Sequence, residues 1–278
     1  MLDRIRQRET LESFDYQWRH LSSGEAMLSD PWFLEHVEGI IANELLCIDP
    51  SWFAGKRVLD AGCGLGRWTI GLLRLGCQVL AVDASTAALE TLREQAGRLV
   101  PEAVAANRLE TQQVNLLDLP EGLAAKRFDL VFSFGVLHHT GDTRQALANV
   151  ASLVDREGVL FLYLYGTRSV TLTQRAALAI VRWGLTPLPF ALKVRVLRLL
   201  RPGRDPHQLF DLFSPLINDR NDRAVVAVWL GELGFADIET TIDHSEIYLR
   251  AQRTRSTTLP RLRLPQRPYW FERYQPKS

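Results

Sequence analysis

The sequence predicts an α/β fold: a doubly wound, mostly parallel, seven-stranded sheet with its last strand antiparallel, plus an inserted helical cap. Three observations predict it. A short apolar run ends in an acid and leads through three closely spaced glycines into a helical segment. Apolar and helical segments then alternate, which is typical of a parallel sheet covered by helices on both faces. Two last apolar segments, at 235–243 and 246–252, flank a turn and predict an antiparallel pair.

The composition indicates an ordinary globular protein. The chain has 278 residues and a formal net charge of +1, which suits one large domain or one domain with a cap. The cysteines Cys47, Cys63 and Cys77 form no C-x-x-C pair, so we expect neither a disulfide framework nor a metal site. The N-terminus lacks the apolar region of a secretory signal, and we see no run of about twenty apolar residues. We therefore expect a cytoplasmic protein.

Residues 1–56 precede the first strand, and we interpret them as an N-terminal helical lid segment. Apolar residues recur at helical spacing between positions 31 and 46, with Ser29 or Asp30 as the cap and Pro31 in the first turn. Upstream, Tyr16 and Trp18 stand in a polar segment. Two interpretations of these aromatic residues are open: they fasten the segment to the domain, or they close over cofactor and substrate. We include both in the predicted substrate pocket.

The stretch 57–66, RVLDAGCGLG, is central to the functional prediction. Its glycines let the backbone turn tightly and approach a ligand closely. The dinucleotide pattern G-x-G-x-x-G has a third glycine where this chain has Arg67, which disfavours a dehydrogenase. The pattern D-x-G-x-G-x-G, from Asp60 to Gly66, instead resembles motif I of class I S-adenosylmethionine-dependent methyltransferases of the small-molecule type. The resemblance implies that S-adenosylmethionine is the cofactor, that S-adenosylhomocysteine is its product, and that this loop holds the methionine moiety.

Two further segments predict the nucleoside part of the site. Residues 78–84 predict a second strand ending at Asp83, about twenty residues after the glycine loop, where a carboxylate can accept hydrogen bonds from both ribose hydroxyls. Capping of the following helix is the plainer alternative for this acid. A third strand is predicted at 108–116. The segment 115–120 resembles the part of the family that contacts adenine, and the sequence leaves open whether Asn115 or Asp118 makes that contact.

A fourth strand, predicted at 128–134, ends at Gly135 and a histidine pair. Ligands of open α/β sheets bind beyond the carboxyl ends of the strands. The stretch FDLVFSFGVLHHTGD closely resembles motif IV of small-molecule methyltransferases. The residues that the resemblance assigns to cofactor binding are Asp60, Ala61, Gly62, Cys63, Gly64, Gly66, Asp83, Ala84, Ser85, Asn115, Leu116, Asp118, Ser133 and Gly135.

His138 and His139 are the candidate catalytic residues, because the unperturbed pKa of histidine suits proton transfer near neutrality. Two hypotheses are open. In the first, one of the histidines removes a proton from the acceptor; in the second, the imidazole rings only hold the loop in place. Tyr163 and Tyr165, in a fifth strand predicted at 158–165, should share one face and are pocket or core residues. Asp211 is a further candidate for the pocket wall. His138 also belongs to the predicted substrate pocket.

Residues 166–221 interrupt the alternation, and we interpret them as an inserted two-helix cap that is rich in arginine. Three interpretations of its basic surface are open: a solvated face over a pocket for an acidic acceptor, docking on an anionic membrane, and RNA binding. We favour the first and expect nucleic acid least. We divide the rest of the chain into three segments: the cofactor-binding core at 57–165, the end of the core sheet at 222–252 and a basic tail at 253–278.

Taken together, the motifs imply transfer of a methyl group from S-adenosylmethionine to an oxygen or nitrogen atom of a small-molecule acceptor. Natural-product biosynthesis is a compatible setting, and a homodimer is a compatible assembly. The alternatives are a methyltransferase that acts on RNA or on a membrane-associated, lipid-like substrate, and a non-catalytic module that binds S-adenosylmethionine.

Overall fold

The structure, a computed structural model, describes residues 2–21, 26–169, 171–200, 206–254 and 259–261. Its centre is a seven-stranded sheet in the order β3-β2-β1-β4-β5-β7-β6. Strands β1 to β5 pair in parallel, whereas β7 is antiparallel to β5 and β6. The predicted doubly wound sheet with an antiparallel last strand is therefore confirmed. The strands are β1 Arg57–Ala61, β2 Gln78–Asp83, β3 Leu109–Gln113, β4 Phe128–Phe134, β5 Val154–Leu164, β6 Asp237–Thr240 and β7 Ile247–Gln252.

Helices cover both faces of the sheet. Successive side chains of a strand point to opposite faces, so each inner strand contributes to two apolar layers. On β4, Phe132 packs in the layer that contains α3 and α4, whereas Val131 packs in the layer that contains α8 and α12. The helices are α1 Leu2–His20, α2 Ala26–Ser29, α3 Pro31–Gly39, α4 Arg67–Arg74, α5 Thr86–Leu99, α6 Pro101–Ala105, α7 Glu121–Ala124, α8 Thr143–Ser152, α9 Leu172–Leu185, α10 Phe190–Leu200, α11 Pro206–Phe213 and α12 Arg223–Glu232.

The first helix, α1, is absent from the sequence-based prediction. Its inner face is polar: Thr10, Ser13 and Gln17 recur at helical spacing and are all buried. A search for apolar periodicity misses such a helix because the buried stripe contains no apolar signal. Helix α1 packs against α5 and α11, and the Thr10 hydroxyl accepts a hydrogen bond from the backbone N–H of Ile217, 3.0 Å away. The N-terminal segment is therefore fastened to the core by polar contacts.

The helix predicted between positions 31 and 46 is present in two parts. Asp30 caps α3 by accepting a hydrogen bond from the Trp32 N–H, and Pro31 occupies the first turn. Beyond Gly39 the chain continues as a π-helix, Ile40–Leu46, whose apolar side chains are buried against the sheet. This helix places a continuous apolar face over the first half of the sheet.

Among its described residues, the segment at 166–221 contains three α-helices, α9, α10 and α11, rather than the predicted two. Helix α11 has only eight residues, too few turns for its apolar period to be recognised in the sequence. The cap has a small core of its own, which is separate from the apolar layers of the sheet. Leu21, the residue that follows α1, contributes to it. Its buried members are Leu21, Leu185, Val194, Leu197, Leu209 and Phe210.

The C-terminal stretch that is described, 259–261, lies across the edge of the sheet. Arg261 forms ion pairs with Asp237 and Glu239 of β6. The carbonyl oxygen of Pro260 accepts a hydrogen bond from the Asp49 N–H, 2.9 Å away. Of the predicted basic tail, residues 253–254 and 259–261 are described, and the others lie outside the described residues. Within the described part of the chain, no helix is long and apolar enough to span a membrane.

The packing of α4 against the N-terminal helices generates the first prediction. A Cβ atom added at Gly71 of α4 would lie 2.5 Å from Ile41 Cδ1 and 2.7 Å from Val37 Cγ2. Gly71→Ala should therefore lower the free energy of unfolding by about 1–3 kcal/mol through overpacking, although alanine is the better helix former. Urea denaturation followed by circular dichroism measures the change.

Gly97 in α5 provides the matched control. A Cβ atom there would meet no atom within 4 Å, so Gly97→Ala should stabilise the protein by up to about 1 kcal/mol. If both substitutions stabilise the protein equally, the result would contradict the close packing of α4 against the N-terminal helices at Gly71.

Candidate active site

The glycine loop that follows β1 has a backbone that only glycine adopts easily. Gly62, Gly64 and Gly66 have φ angles of +83°, +52° and +88°. An added Cβ atom would clash with Val136 at Gly62 and with Leu92 at Gly66. The N–H groups of Gly62 and Cys63 both donate to the carbonyl oxygen of Val82, at 2.8 and 3.0 Å, which ties the loop to β2. The loop is thus held in one tight conformation.

Asp83, the last residue of β2, connects the glycine loop to the start of α5. Its Oδ2 accepts the Gly64 N–H and its Oδ1 accepts the Ser85 N–H, both at 2.9 Å. Burial raises the pKa of Asp83 above its usual range, and the two backbone hydrogen bonds oppose that rise. Gln113 at the end of β3 donates to the carbonyl oxygen of Ala84 at 2.9 Å. These contacts bring the ends of β1, β2 and β3 together.

Asp60 lies beneath the loop and is almost completely buried. Its Oδ2 accepts a hydrogen bond from the Thr69 hydroxyl at 2.6 Å. Burial raises the pKa of Asp60 from 3.8 to about 7, the Thr69 hydrogen bond opposes the rise, and the charge of Asp83 adds to it. Asp60 therefore fixes the first turn of α4 relative to β1, and its predicted contact with the methionine moiety stays a prediction.

The site lies where the strand order reverses, between β1 and β4. In open α/β sheets this switch point forms a crevice beyond the carboxyl ends of the strands. The buried Ser133 hydroxyl donates to the carbonyl oxygen of Ala61 at 3.0 Å, which joins the two strand ends. Gly135, with φ +79°, donates its N–H to the carbonyl oxygen of Tyr163 at 3.0 Å. Predicted residues on β1, β2 and β4 therefore converge on one crevice.

The two histidines after β4 have different environments. His138 is fully buried, and its Nδ1 lies 3.4 Å from the backbone N–H of Tyr165, which can only donate. The neutral ring therefore carries its proton on Nε2, which has no hydrogen-bond partner among the described residues. Burial, with smaller effects of His139 and Arg220, lowers the pKa of His138 well below its usual range. His138 is thus a neutral ring that can donate from Nε2.

His139 is half-buried, and its Nδ1 lies 2.8 Å from the carbonyl oxygen of Ile217. A carbonyl oxygen only accepts, so Nδ1 carries the proton and Nε2 carries the lone pair of the neutral ring. The ring also packs edge-on against Phe14 of α1, with centroids 4.9 Å apart. His139 therefore has the tautomer that a base requires, and it is oriented from two sides.

Aromatic side chains form one wall of the crevice. Tyr165 stacks on His138 with ring centroids 4.0 Å apart, and Tyr163 packs against Phe134 at 4.4 Å and Tyr248 at 4.6 Å. The rings of Tyr163, in β5, and Tyr165, just after it, lie 6.0 Å apart, as expected for alternate residues at the end of a strand. Their role in a substrate pocket stays a prediction.

Two residues near the histidines were not singled out from the sequence. Arg220 lies over the Tyr165 ring, 5.1 Å from its centroid, and pairs with Glu246 at 3.5 Å. The Asp219 N–H donates to the carbonyl oxygen of His138 at 2.8 Å. Both residues lie at the end of the cap segment, where the polar sequence does not indicate which side chains return to the site.

Helix α1 lies over the crevice. Asp15 accepts a hydrogen bond from the Ser85 hydroxyl at 2.7 Å, and Gln7 contacts the carbonyl oxygen of Thr140 at 3.4 Å. A Cβ atom added at Gly64 would lie 3.5 Å from the Trp18 ring, so Trp18 faces the glycine loop. Beside this contact, an open groove of about 390 Å³ lies between α1 and the ends of β2 and β3, and Tyr16 lines it. Tyr16 also packs on Phe190 and Phe210 of the cap.

The predicted adenine contacts are only partly resolved by the structure. The Asn115 side-chain oxygen accepts the Leu117 N–H at 3.0 Å, and Asp118 is exposed in the same turn. Leu116 is buried in the apolar layer under β4 and α8. The side chain of Asp211 lies outside the described residues. Among those described, no group of three or more His, Cys, Asp or Glu residues is arranged to hold a metal ion.

Comparison with known proteins identifies the core. A family model described as a methyltransferase domain matches residues 59–160, which contain most of β1, all of β2 to β4 and most of β5. Residues 59–160 are a methyltransferase domain. The match includes the glycine loop, Asp83, Ser133 and the histidine pair, so it supports the predicted family for this part of the chain.

Relatives of known name carry similar domains. The ubiquinone biosynthesis O-methyltransferase of Xanthomonas euvesicatoria is 31% identical over 193 residues, 65% of this chain and 63% of that protein. The mitochondrial ubiquinone biosynthesis O-methyltransferase of Schizosaccharomyces pombe is 32% identical over 174 residues, 61% of this chain and 56% of that protein. The chain thus spans less than two thirds of the length of these curated relatives.

Solved structures share the fold. An O-methyltransferase family protein from Burkholderia thailandensis matches 82% of this chain and 56% of its own, with a TM-score of 0.54 and 16% identity. A chain in the complex of the Haloferax volcanii Trm112 methyltransferase activator with a putative methyltransferase matches 86% of this chain and 97% of its own, with a TM-score of 0.54 and 12% identity. At these identities the likeness concerns the fold alone.

The buried carboxyl of Asp60 generates a prediction about pH. The pKa of Asp60 is about 7 in the folded protein, whereas the ordinary value for an aspartate, which applies to the unfolded chain, is 3.8. At a pH between these two values, the folded state retains a proton that the unfolded chain releases. The stabilisation is complete below pH 3.8 and is lost as the pH rises through 7. Asp60→Asn should remove this dependence and gain up to about 4 kcal/mol over the wild type near neutrality, at about 1.36 kcal/mol per pKa unit.

Urea denaturation at a series of pH values measures this difference. The exposed carboxylate of Asp243 serves as the control, since Asp243→Asn should leave the pH dependence of the wild type unchanged. Parallel stability curves for Asp60→Asn and the wild type would contradict the burial argument.

Proposed function

We propose that the protein transfers the methyl group of S-adenosylmethionine to an oxygen or nitrogen atom of a small-molecule acceptor. One observation carries the proposal: three glycines with positive φ form a cradle that Asp83 holds against the switch point of the sheet. The pattern lacks the third glycine of dinucleotide sites, because Arg67 stands there. The domain match and the named relatives support the same activity.

The residues at the crevice fit this cofactor. Because Gly64 has no side chain, the backbone of the glycine loop faces the Trp18 ring directly. The methionine moiety would lie here, between the loop and α1. Each carboxylate oxygen of Asp83 accepts one backbone N–H and retains a further lone-pair direction, which suits the two ribose hydroxyls. Adenine would lie toward Asn115 and Asp118. The Asn115 oxygen already accepts the Leu117 N–H, which favours Asp118 as the acceptor for the adenine amino group.

The chemistry requires mainly positioning. When bound, S-adenosylmethionine supplies a methyl group on a sulfonium ion that is already a good leaving group. The chain must hold the acceptor in line with that methyl group, and such orientation contributes up to roughly 7–11 kcal/mol in the best cases. Helix α1, with Trp18 over the loop and Phe14 against His139, is placed to exclude water from the crevice.

His139 is the proposed base. Its Nδ1–H donates to the Ile217 carbonyl oxygen, so its Nε2 can accept a proton from an acceptor hydroxyl or amine. His138 has a different proposed role. Its buried Nε2–H can donate a hydrogen bond to the acceptor, and its lowered pKa keeps it from acting as a cation at neutral pH.

The ribose role of Asp83 gives a binding prediction. Asp83→Ala removes a charged acceptor and the anchor of Gly64, so the affinity for S-adenosylhomocysteine should fall about 10- to 100-fold, as expected for hydrogen bonds to a charged group. Isothermal titration calorimetry measures the change. The exposed Glu110 on β3, paired only with Lys126 among the contacts described, is the control, and Glu110→Ala should bind as the wild type does. Equal affinities of all three proteins would refute the assignment.

The acceptor class is tested by following the methyl group. The protein is incubated with methyl-labelled S-adenosylmethionine and with separated small-molecule, RNA and protein fractions of a cell extract. Label in the small-molecule fraction, with stoichiometric S-adenosylhomocysteine, is the expected result. Label in RNA or protein would favour a macromolecular acceptor instead, and an absence of S-adenosylhomocysteine with every fraction would indicate a non-catalytic module.

The same assay tests the base. His139→Ala should bind S-adenosylhomocysteine as the wild type does but transfer methyl groups about 10²–10⁴-fold more slowly. His36→Ala, which changes a histidine stacked on Trp32 in α3, is the matched control and should transfer at the wild-type rate. An unchanged rate for His139→Ala would leave the pair with a structural role only.

A further inference from the structure

The outward face of α9 is apolar. Leu172, Ile180 and Trp183 expose 79%, 73% and 47% of their surface, and the alanines at 176 and 179 between them are also exposed. These residues recur at helical spacing and so form one stripe along the helix. A soluble helix normally presents polar residues on that side, so the stripe requires an explanation.

The arginines of α9 do not cover this stripe. Arg175 donates to the carbonyl oxygen of Thr167 at 3.3 Å, and Arg182 donates to the carbonyl oxygen of Leu212 at 2.9 Å. Both side chains are half-buried and are directed toward neighbouring segments. The cations of α9 therefore flank an apolar surface that stays open.

Helix α10 has a mixed outer face. Leu192 and Leu199 expose 42% and 81% of their surface, and Arg195 and Arg198 are exposed beside them. Its inner face packs toward α1, where Lys193 pairs with Glu9 and Phe190 packs on Tyr16. The outer face of α10 therefore points away from the contact between α10 and α1.

The stretch that contains α9 and α10 carries charge of one sign. Residues 158–204 contain eight arginine and lysine residues and no aspartate or glutamate. Seven of the large apolar side chains that are exposed in the described structure lie on α9, α10 and α11: Leu172, Ile180, Val181, Trp183, Leu192, Leu199 and Leu212. Exposed apolar residues, flanking cations and a lack of acids together are typical of helices that lie in a membrane interface.

We propose that the outer faces of α9 and α10 form a surface that docks on an anionic lipid bilayer. Leu172, Ile180 and Trp183 enter the boundary between headgroups and acyl chains. Arg195 and Arg198 bind the anionic headgroups. The proposal does not depend on methyl transfer, because lipid binding is measured without cofactor or acceptor.

Two other occupants fit this surface less well. A second copy of the chain, docked symmetrically, would bring the same cations of both copies together without an acid to compensate them. RNA would use the arginines but would leave the large aliphatic side chains of α9 unburied, since RNA-binding surfaces present aromatic rings and cations. An anionic bilayer satisfies both parts of the surface at once.

Cosedimentation with vesicles tests the proposal. The full chain should sediment with vesicles of mixed phosphatidylglycerol and phosphatidylcholine, and at least tenfold less with phosphatidylcholine alone. Raising the salt from about 0.1 M to about 0.5 M should weaken this binding, because the Debye length shortens from about 10 Å toward about 3–5 Å. A protein that stays in the supernatant with both vesicle types, or that binds both equally, would overturn the proposal.

A pair of variants locates the surface. The triple variant Leu172→Ser, Ile180→Ser and Trp183→Ser should lose at least tenfold of the vesicle binding, while circular dichroism shows an unchanged melting transition. Val225 and Val228 of α12 are exposed by 45% and 60%, so Val225→Ser with Val228→Ser is the matched control and should bind as the wild type does. Equal loss in both variants, or a wild-type dimer in light scattering that the triple variant abolishes, would overturn the assignment.

Discussion

The hydrogen bonds made by the Asp83 carboxylate hold the site together. One oxygen accepts the Gly64 N–H of the loop after β1, and the other accepts the Ser85 N–H at the start of α5. The Ser85 hydroxyl in turn donates to Asp15 of α1, so a single chain of contacts joins the loop, two strand ends and the helix above them. Because the carboxylate is buried, an unpaired charge there would be costly, and the three glycines allow the backbone to reach it. The protein's own hydrogen bonds therefore define the crevice.

The sheet was predictable mainly from β2, β4 and β5, which are largely apolar runs, whereas β3 and β6 are short and polar. The fourth strand, Phe128–Phe134, was predicted without error. The helix that follows β2 is capped by Ser85 rather than by Asp83, which was the plainer alternative for that acid. Helix α1 was missed because its buried stripe is polar: Thr10, Ser13 and Gln17 contribute no apolar period. A helix whose buried face is polar leaves little apolar signal in one sequence.

The site was predictable as far as it is local in the sequence. The glycine spacing and the position of Asp83 placed the cradle, because both lie at fixed distances along one β-α-β unit. The different environments of His138 and His139 were not predictable, since they depend on Tyr165 and on the carbonyl oxygen of Ile217, 78 residues away from His139. The exposed stripe on α9 likewise required the structure, because its sequence period alone does not tell which face is buried.

The central claim is that the glycine cradle and Asp83 bind the nucleoside of S-adenosylmethionine. The most direct measurement is a calorimetric titration of the wild-type protein with S-adenosylhomocysteine and, separately, with NADH. Binding of S-adenosylhomocysteine alone, with a dissociation constant in the micromolar range, about −8 kcal/mol, is the result that this account predicts. Binding of NADH alone would contradict it, and would mean that the cradle accepts a pyrophosphate despite Arg67 in place of the third glycine.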